Sequence, residues 1–161
     1  MKPILLIIIA SFFYSYSFAQ NVEAKIQAFA KKEYPGDASM QKYIYDQQKT
    51  AYNYMVGVTD SEVKRFAEKQ YPDDFSMQKY VYDQQSTAKA YMKTVTDAEL
   101  KRFAIKEYPD DYSMQKYVYD QQSTAKAYMQ RATNRSAKEN ARKEYPDDYT
   151  MQKYLYDKAG N

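Results

Sequence analysis

Neither cysteine nor histidine occurs anywhere in this sequence. The first absence excludes disulfides, thiolate nucleophiles and a lipid-bearing cysteine. The second removes the commonest general base, and together they remove almost every zinc or transition-metal site. Glycine is scarce as well. The three residues Gly36, Gly57 and Gly160 form no glycine-rich phosphate loop. Charge of one sign is also missing, since 24 basic residues face 21 acidic ones. They alternate along the chain without collecting in a basic stripe, which argues against nucleic acid as a partner. Serine, lysine, tyrosine and carboxylates remain. They recur in every part of the chain, whereas an active site is built once. The composition points away from an enzyme and calls for no cofactor and no metal.

Long hydrophobic runs are absent except at the start. Met1-Lys2 gives a positive beginning, Ile4 to Phe13 is apolar, and Ser17-Phe18-Ala19 places small residues where a signal peptidase reads. The run is about ten residues where a bilayer span needs about twenty. Residues 1–19 therefore read as a signal peptide cleaved after Ala19, giving a secreted or periplasmic chain that does not span a membrane. Removal of Lys2 with the leader leaves 23 basic against 21 acidic residues, a net charge of +2.

What fills the remainder, residues 20–161, is repetition. Tyr34-Pro35, Tyr71-Pro72, Tyr108-Pro109 and Tyr145-Pro146 recur at a step of 37 residues, each followed by an acidic turn and a Ser/Thr-Met-Gln-Lys-Tyr run. Ser76 to Met92 matches Ser113 to Met129 at every position. Such periodicity marks a repeat architecture. The units fall at about 21–58, 59–95, 96–132 and 133–161. The last is a degenerate cap, with Asn140 in place of the first-helix Phe and a shortened second helix.

Each unit reads as two helices. Thr59 with Glu62, and Thr96 with Glu99, have capping-box spacing, and Val58 with Val63 or Val95 with Leu100 would form the accompanying staple. In the last unit the box moves to Ser136 and Glu139. Val63, Phe66 and Ala67 form the apolar face, repeated as Leu100, Phe103 and Ala104. Proline drives the preceding residue from the α region and ends this helix. Positive φ is expected at Gly36, Asp73, Asp110 and Asp147. Asp37, Asp74, Asp111 and Asp148 then cap the second helix. They lack the further oxygen ligands a calcium loop needs. The second helix runs from about Phe75 to Lys93. Its predicted stripe is Met77, Tyr80, Val81, Gln84, Ala88, Tyr91 and Met92, with Gln84 (and Gln47 and Gln121) near the centre.

The expected fold is all-α, with tandem 37-residue two-helix repeats stacked as a short solenoid or bundle, because isolated short helices are marginal in water. Having two helices per unit, the array resembles a tetratricopeptide-type solenoid. Its proline lies between the helices, however, where that family's proline closes the second. The stretch Tyr108-Pro109-Asp110-Asp111-Tyr112-Ser113-Met114-Gln115 through Gln121 is similar to a short helical module of small uncharacterised bacterial proteins, which often has Trp in place of Tyr. That resemblance covers about half of each unit. It implies a bacterial origin and no activity.

Tyr45, Tyr82, Tyr119 and Tyr156 lie off the main stripe, near Lys89 and Lys126. They either pack against a neighbouring unit or face a ligand. As a binding surface they suit a protein or peptide, since stacked helix pairs offer extended concave faces and tyrosine anchors bind at low entropic cost. A glycan or cell-wall polymer is the second reading, because tyrosine rings stack on sugar faces. Self-assembly of identical units is a third.

Overall fold

The structure is a computed structural model that describes residues 21–160; the expected signal peptide and its cleavage point lie outside the described residues. The protein is all-α, and no strand occurs among the described residues. Helix α1 covers residues 21–33. The others are α2 (Ala38–Gly57), α3 (Ser61–Gln70), α4 (Phe75–Thr94), α5 (Ala98–Glu107), α6 (Tyr112–Arg131), α7 (Arg135–Glu144) and α8 (Tyr149–Ala159). Short helices thus alternate with longer ones at the 37-residue period. Among the described residues, no helix is long and apolar enough to cross a membrane. The described residues divide into two compact units, one ending at Tyr82 and the other starting at Asp83, with α4 contributing its first residues to one and its remainder to the other.

The helix starts are set by aspartates. Asp37, Asp111 and Asp148 stand at N-caps in extended backbone, accepting from the N–H groups of Met40, Met114 and Met151, and Asp74 accepts from Met77. Each carboxylate takes an otherwise orphaned donor and opposes the positive end of the helix dipole. The short helices use the same device, which corrects the capping-box reading. Their caps are Asp60 and Asp97, one residue after Thr59 and Thr96, and they accept from Val63 and Leu100. A carboxylate at that place is a stronger acceptor next to the dipole than the preceding hydroxyl. The shift moves Val63 and Leu100 to N3, so the staple register is lost. In the last unit Asn134 is the cap, accepting from Ala137, and not Ser136. Positive φ occurs at Gly36 and at no described non-glycine residue, so Asp73, Asp110 and Asp147 make the same turn without it.

The short helices end as proline requires. Tyr71, Tyr108 and Tyr145 are C-caps with φ between −128° and −135° and ψ between 70° and 75°. Their carbonyls point away from the helical ladder there. Gln78, Gln115 and Gln152, seven residues on, donate to them at 2.6, 2.7 and 2.6 Å. The Tyr-Pro and Met-Gln halves of the repeated motif are therefore one device, tying the end of a short helix to the first turn of the long one.

The long-helix stripe is rotated from its predicted position. Tyr80 and Gln84 are exposed, as are Gln47 and Gln121, whereas Gln78, Val81, Tyr82, Gln85, Ala88 and Met92 are buried. Those residues follow 3- and 4-residue steps around two polar members. The predicted stripe shares Val81, Ala88 and Met92 with this face but takes Gln84 as its glutamine, one residue from the buried Gln85. The short-helix faces agree with expectation, with Val63, Ala67, Leu100 and Ala104 buried. In the second unit Met92, Leu100, Ala104, Tyr119, Ala125, Met129, Ala141 and Tyr149 form one core.

Candidate binding surface

The long helices are joined by a glutamine clasp. Gln48 donates to the Asp74 carboxylate at 2.7 Å and accepts from the N–H of Phe75 at 2.7 Å. Gln85 does the same with Asp111 and Tyr112, and Gln122 with Asp148 and Tyr149. One amide so completes the cap of the next long helix with both of its functional groups. Further along, Tyr54 meets Tyr82, Tyr91 meets Tyr119 and Tyr128 meets Tyr156, edge to face at 6.1–6.3 Å. Because contacts advance in the same direction on both partners, the helices run parallel. They are staggered by about ten positions, or ~15 Å. Sequence reasoning picked the neighbouring glutamines; the 3/4 spacing of Gln85 with Ala88 and Met92 was the available signal.

That packing accounts for the off-stripe tyrosines. Tyr82 and Tyr119 are each only 8% exposed, so they are not a ligand-facing surface. Tyr45 is partly buried, with Lys49 over its ring at 5.4 Å. Tyr156 has a bonding role: its hydroxyl accepts from the N–H groups of Thr133 and Asn134 at 3.1 and 3.0 Å. Those donors, Asn134 first, pull its pKa below the ordinary tyrosine value.

The lysines of the same set are structural as well. Lys126 reaches Glu99 at 2.8 Å and Asp97 at 2.9 Å and covers the ring of Tyr149 at 5.0 Å; Lys89 covers Tyr112 at the same distance. Glu99 and Asp97 raise the Lys126 pKa, and Lys126 in turn lowers that of Asp97. Glu99, predicted to close a capping box, is spent on Lys126 and on the Tyr149 hydroxyl at 3.3 Å. In the first repeat both members of the pair change. Lys25 occupies the Glu position and Tyr52 the Lys position, 27 residues apart as before. Lys25 now pairs with Asp73 at 3.0 Å, and Tyr52 packs on Phe75 at 5.1 Å. A joint change of this kind avoids setting two lysines together.

A second set of tyrosines is exposed in each unit; of these, Tyr80 belongs to the predicted stripe. Tyr43, Tyr80, Tyr117 and Tyr154 are 50–58% exposed at one register of the four long helices. Beside Tyr43 lies an open groove between α2 and α4, also lined by Asp46, Gln47, Thr50, Ser76 and Lys79, with Ala51 at its base. The corresponding residues of the second unit are Tyr117, Asp120, Gln121, Thr124, Thr150, Lys153 and Ala125. One wall is electrostatically fixed. Lys116 lies over the Tyr91 ring at 4.6 Å and bonds Asp120 at 2.6 Å, while the Tyr91 hydroxyl donates to Asp120 at 2.6 Å. Lys153, Tyr128 and Asp157 repeat the triad. The bond to Asp120, then burial, pushes Tyr91 up to about 12. Burial works against the charge of Asp120, but Lys116 and Tyr91 outweigh it and its pKa is lowered. Among the described residues, no three carboxylates converge into a cation site. The surface can therefore offer aromatic faces, amides, hydroxyls and paired charges, a set suited to recognition.

No protein-family model, curated protein or solved structure matches this chain.

Proposed function

We propose that the chain is an exported, non-enzymatic helical-repeat scaffold, secreted or periplasmic, that holds a protein or peptide partner through the exposed tyrosines repeated in each unit. The observation carrying this reading is the solvent exposure of Tyr43, Tyr80, Tyr117 and Tyr154. Other tyrosines are buried by packing, whereas these four rings are at least half exposed, and exposed aromatic anchors serve as interface hot spots. Their setting supports the same view, since Lys42, Lys116 and Lys153, each preceding one of these tyrosines, are paired with Asp46, Asp120 and Asp157.

Glycan binding is the second reading, favoured by the hydroxyl and amide groups of Thr50, Ser76 and Gln47 beside Tyr43. One experiment separates the two. The variant Tyr43→Ser, Tyr80→Ser, Tyr117→Ser, Tyr154→Ser should keep its helical circular dichroism, because these side chains are exposed. In-cell crosslinking should then lose one defined envelope protein that the parent captures. Unchanged capture would refute these tyrosines as the interface. Loss of retention on peptidoglycan or polysaccharide, with no protein adduct in either form, would establish the glycan reading in its place.

A further inference from the structure

Every long helix offers a seat at its start, and three long helices fill such seats. The filling element is defined by a motif. Gln-x2-Ala-x2-Tyr-Met occurs three times in the sequence, at Gln48 to Met55, Gln85 to Met92 and Gln122 to Met129. Its glutamine enters the clasp at Asp74, Asp111 or Asp148. Its tyrosine sits under a lysine, Lys79, Lys116 or Lys153. In two cases the tyrosine hydroxyl also donates to the aspartate four residues beyond that lysine. Its alanine and methionine are buried.

A fourth seat exists on α1 and α2. Asp37 is the cap, and Lys42 bonds Asp46 at 2.5 Å in the arrangement that receives a tyrosine elsewhere. Between them runs an open groove lined by Gln27, Ala30, Lys31, Ala38, Gln41 and Tyr45. Ala30, Gln41 and Tyr45 correspond to Ala104, Gln115 and Tyr119 of the second unit, against which the motif of α4 packs. Burial records the difference. Gln78, Gln115 and Gln152 are 2–3% exposed, whereas Gln41 is partly exposed and Ala38 is fully on the surface. No copy of the motif remains for this seat, because the three in the chain are engaged within their own units.

We propose that the seat formed by Asp37, Lys42, Asp46 and the α1–α2 groove takes, from another polypeptide, an amphipathic helix bearing Gln-x2-Ala-x2-Tyr-Met. A second copy of this chain could supply that helix only by releasing one of its own. Helix α8 does not carry the motif, since Ala159 stands at the position of the clasp glutamine. Docking would add the same contacts seen three times already: an amide bridging Asp37 and the N–H of Ala38, and a tyrosine hydroxyl on Asp46. The seat shares Asp46 with the groove beside Tyr43 but uses none of the four exposed tyrosines, and neither proposal depends on the other.

The test uses the purified protein and a labelled synthetic peptide with the sequence of residues 75–94, followed by fluorescence anisotropy. The expected result is saturable one-to-one binding, weakened at least about tenfold by Gln85→Ala in the peptide, which removes one charge-assisted and one neutral hydrogen bond. Tyr91→Phe in the peptide should weaken it further. Because these changes lie in the peptide, they leave the folding of the protein untouched. A photocrosslinker beside Tyr91 should label α2. Absence of saturable binding, equal binding by the Gln85→Ala peptide, or crosslinks confined to α4–α8 would each overturn the proposal. So would a protein that is already a dimer and takes up no peptide.

Discussion

Replacing Gln122 with alanine tests the clasp where it matters most, at the attachment of the final helix. Gln122 is 2% exposed, donates to the Asp148 carboxylate at 2.8 Å and accepts from the Tyr149 N–H at 2.7 Å. A bond to a charged group contributes about 1.5–3 kcal/mol and a neutral one about 0.5–1.5 kcal/mol. The loss is therefore about 2–4 kcal/mol, a large share of the roughly 5–15 kcal/mol available to a domain. With a urea dependence of about 2 kcal/mol per molar, the midpoint of helix loss by circular dichroism should fall by about 1–2 M. Hydrogen exchange should place the earliest opening in α8, whose Tyr149 N–H is left unpaired. Gln121→Ala is the internal control. That residue is exposed, and its removal should change stability by less than about 0.5 kcal/mol. Equal midpoints for the Gln122→Ala and parent proteins, or equal shifts for both variants, would refute the clasp.

Asp97→Ala should cost about 1 kcal/mol through loss of the α5 cap, while Thr96→Ala should leave the thermal midpoint unchanged; the opposite ranking would restore the threonine cap. Lys126→Glu should lower the thermal midpoint by about 2–4 °C by setting a third carboxylate beside Asp97 and Glu99, and the pair Glu99→Lys with Lys126→Tyr, copied from Lys25 and Tyr52 of the first repeat, should recover most of it. Alkaline titration followed by tyrosinate absorbance should reveal a late class near pH 12 that Tyr91→Phe diminishes. The sign follows from linkage. A phenol held above its ordinary value of 10 adds stability that is complete below pH 10 and lost as pH rises through about 12.

The repeat, the alternation of short and long helices, the proline stops and the aspartate caps of the long helices were all legible in the residues alone. Each is local. A cap needs only the next three N–H groups, and a proline acts on the residue before it. The short-helix stripe of Val63 and Ala67 was legible for the same reason, being apolar at every buried place. Three features depended on which elements meet in space. Gln85 is buried and Gln84 exposed because the start of α6 supplies the amide with partners that no helical wheel contains. Tyr82 is packed because the stagger of parallel long helices brings Tyr54 against it, a contact no single helix reveals. Asp97 takes the cap and frees Glu99 for Lys126, a residue 27 positions away in sequence. The candidate surface changed accordingly: polar and aromatic side chains are ambiguous until their neighbours are known, since either water or a buried partner can satisfy them.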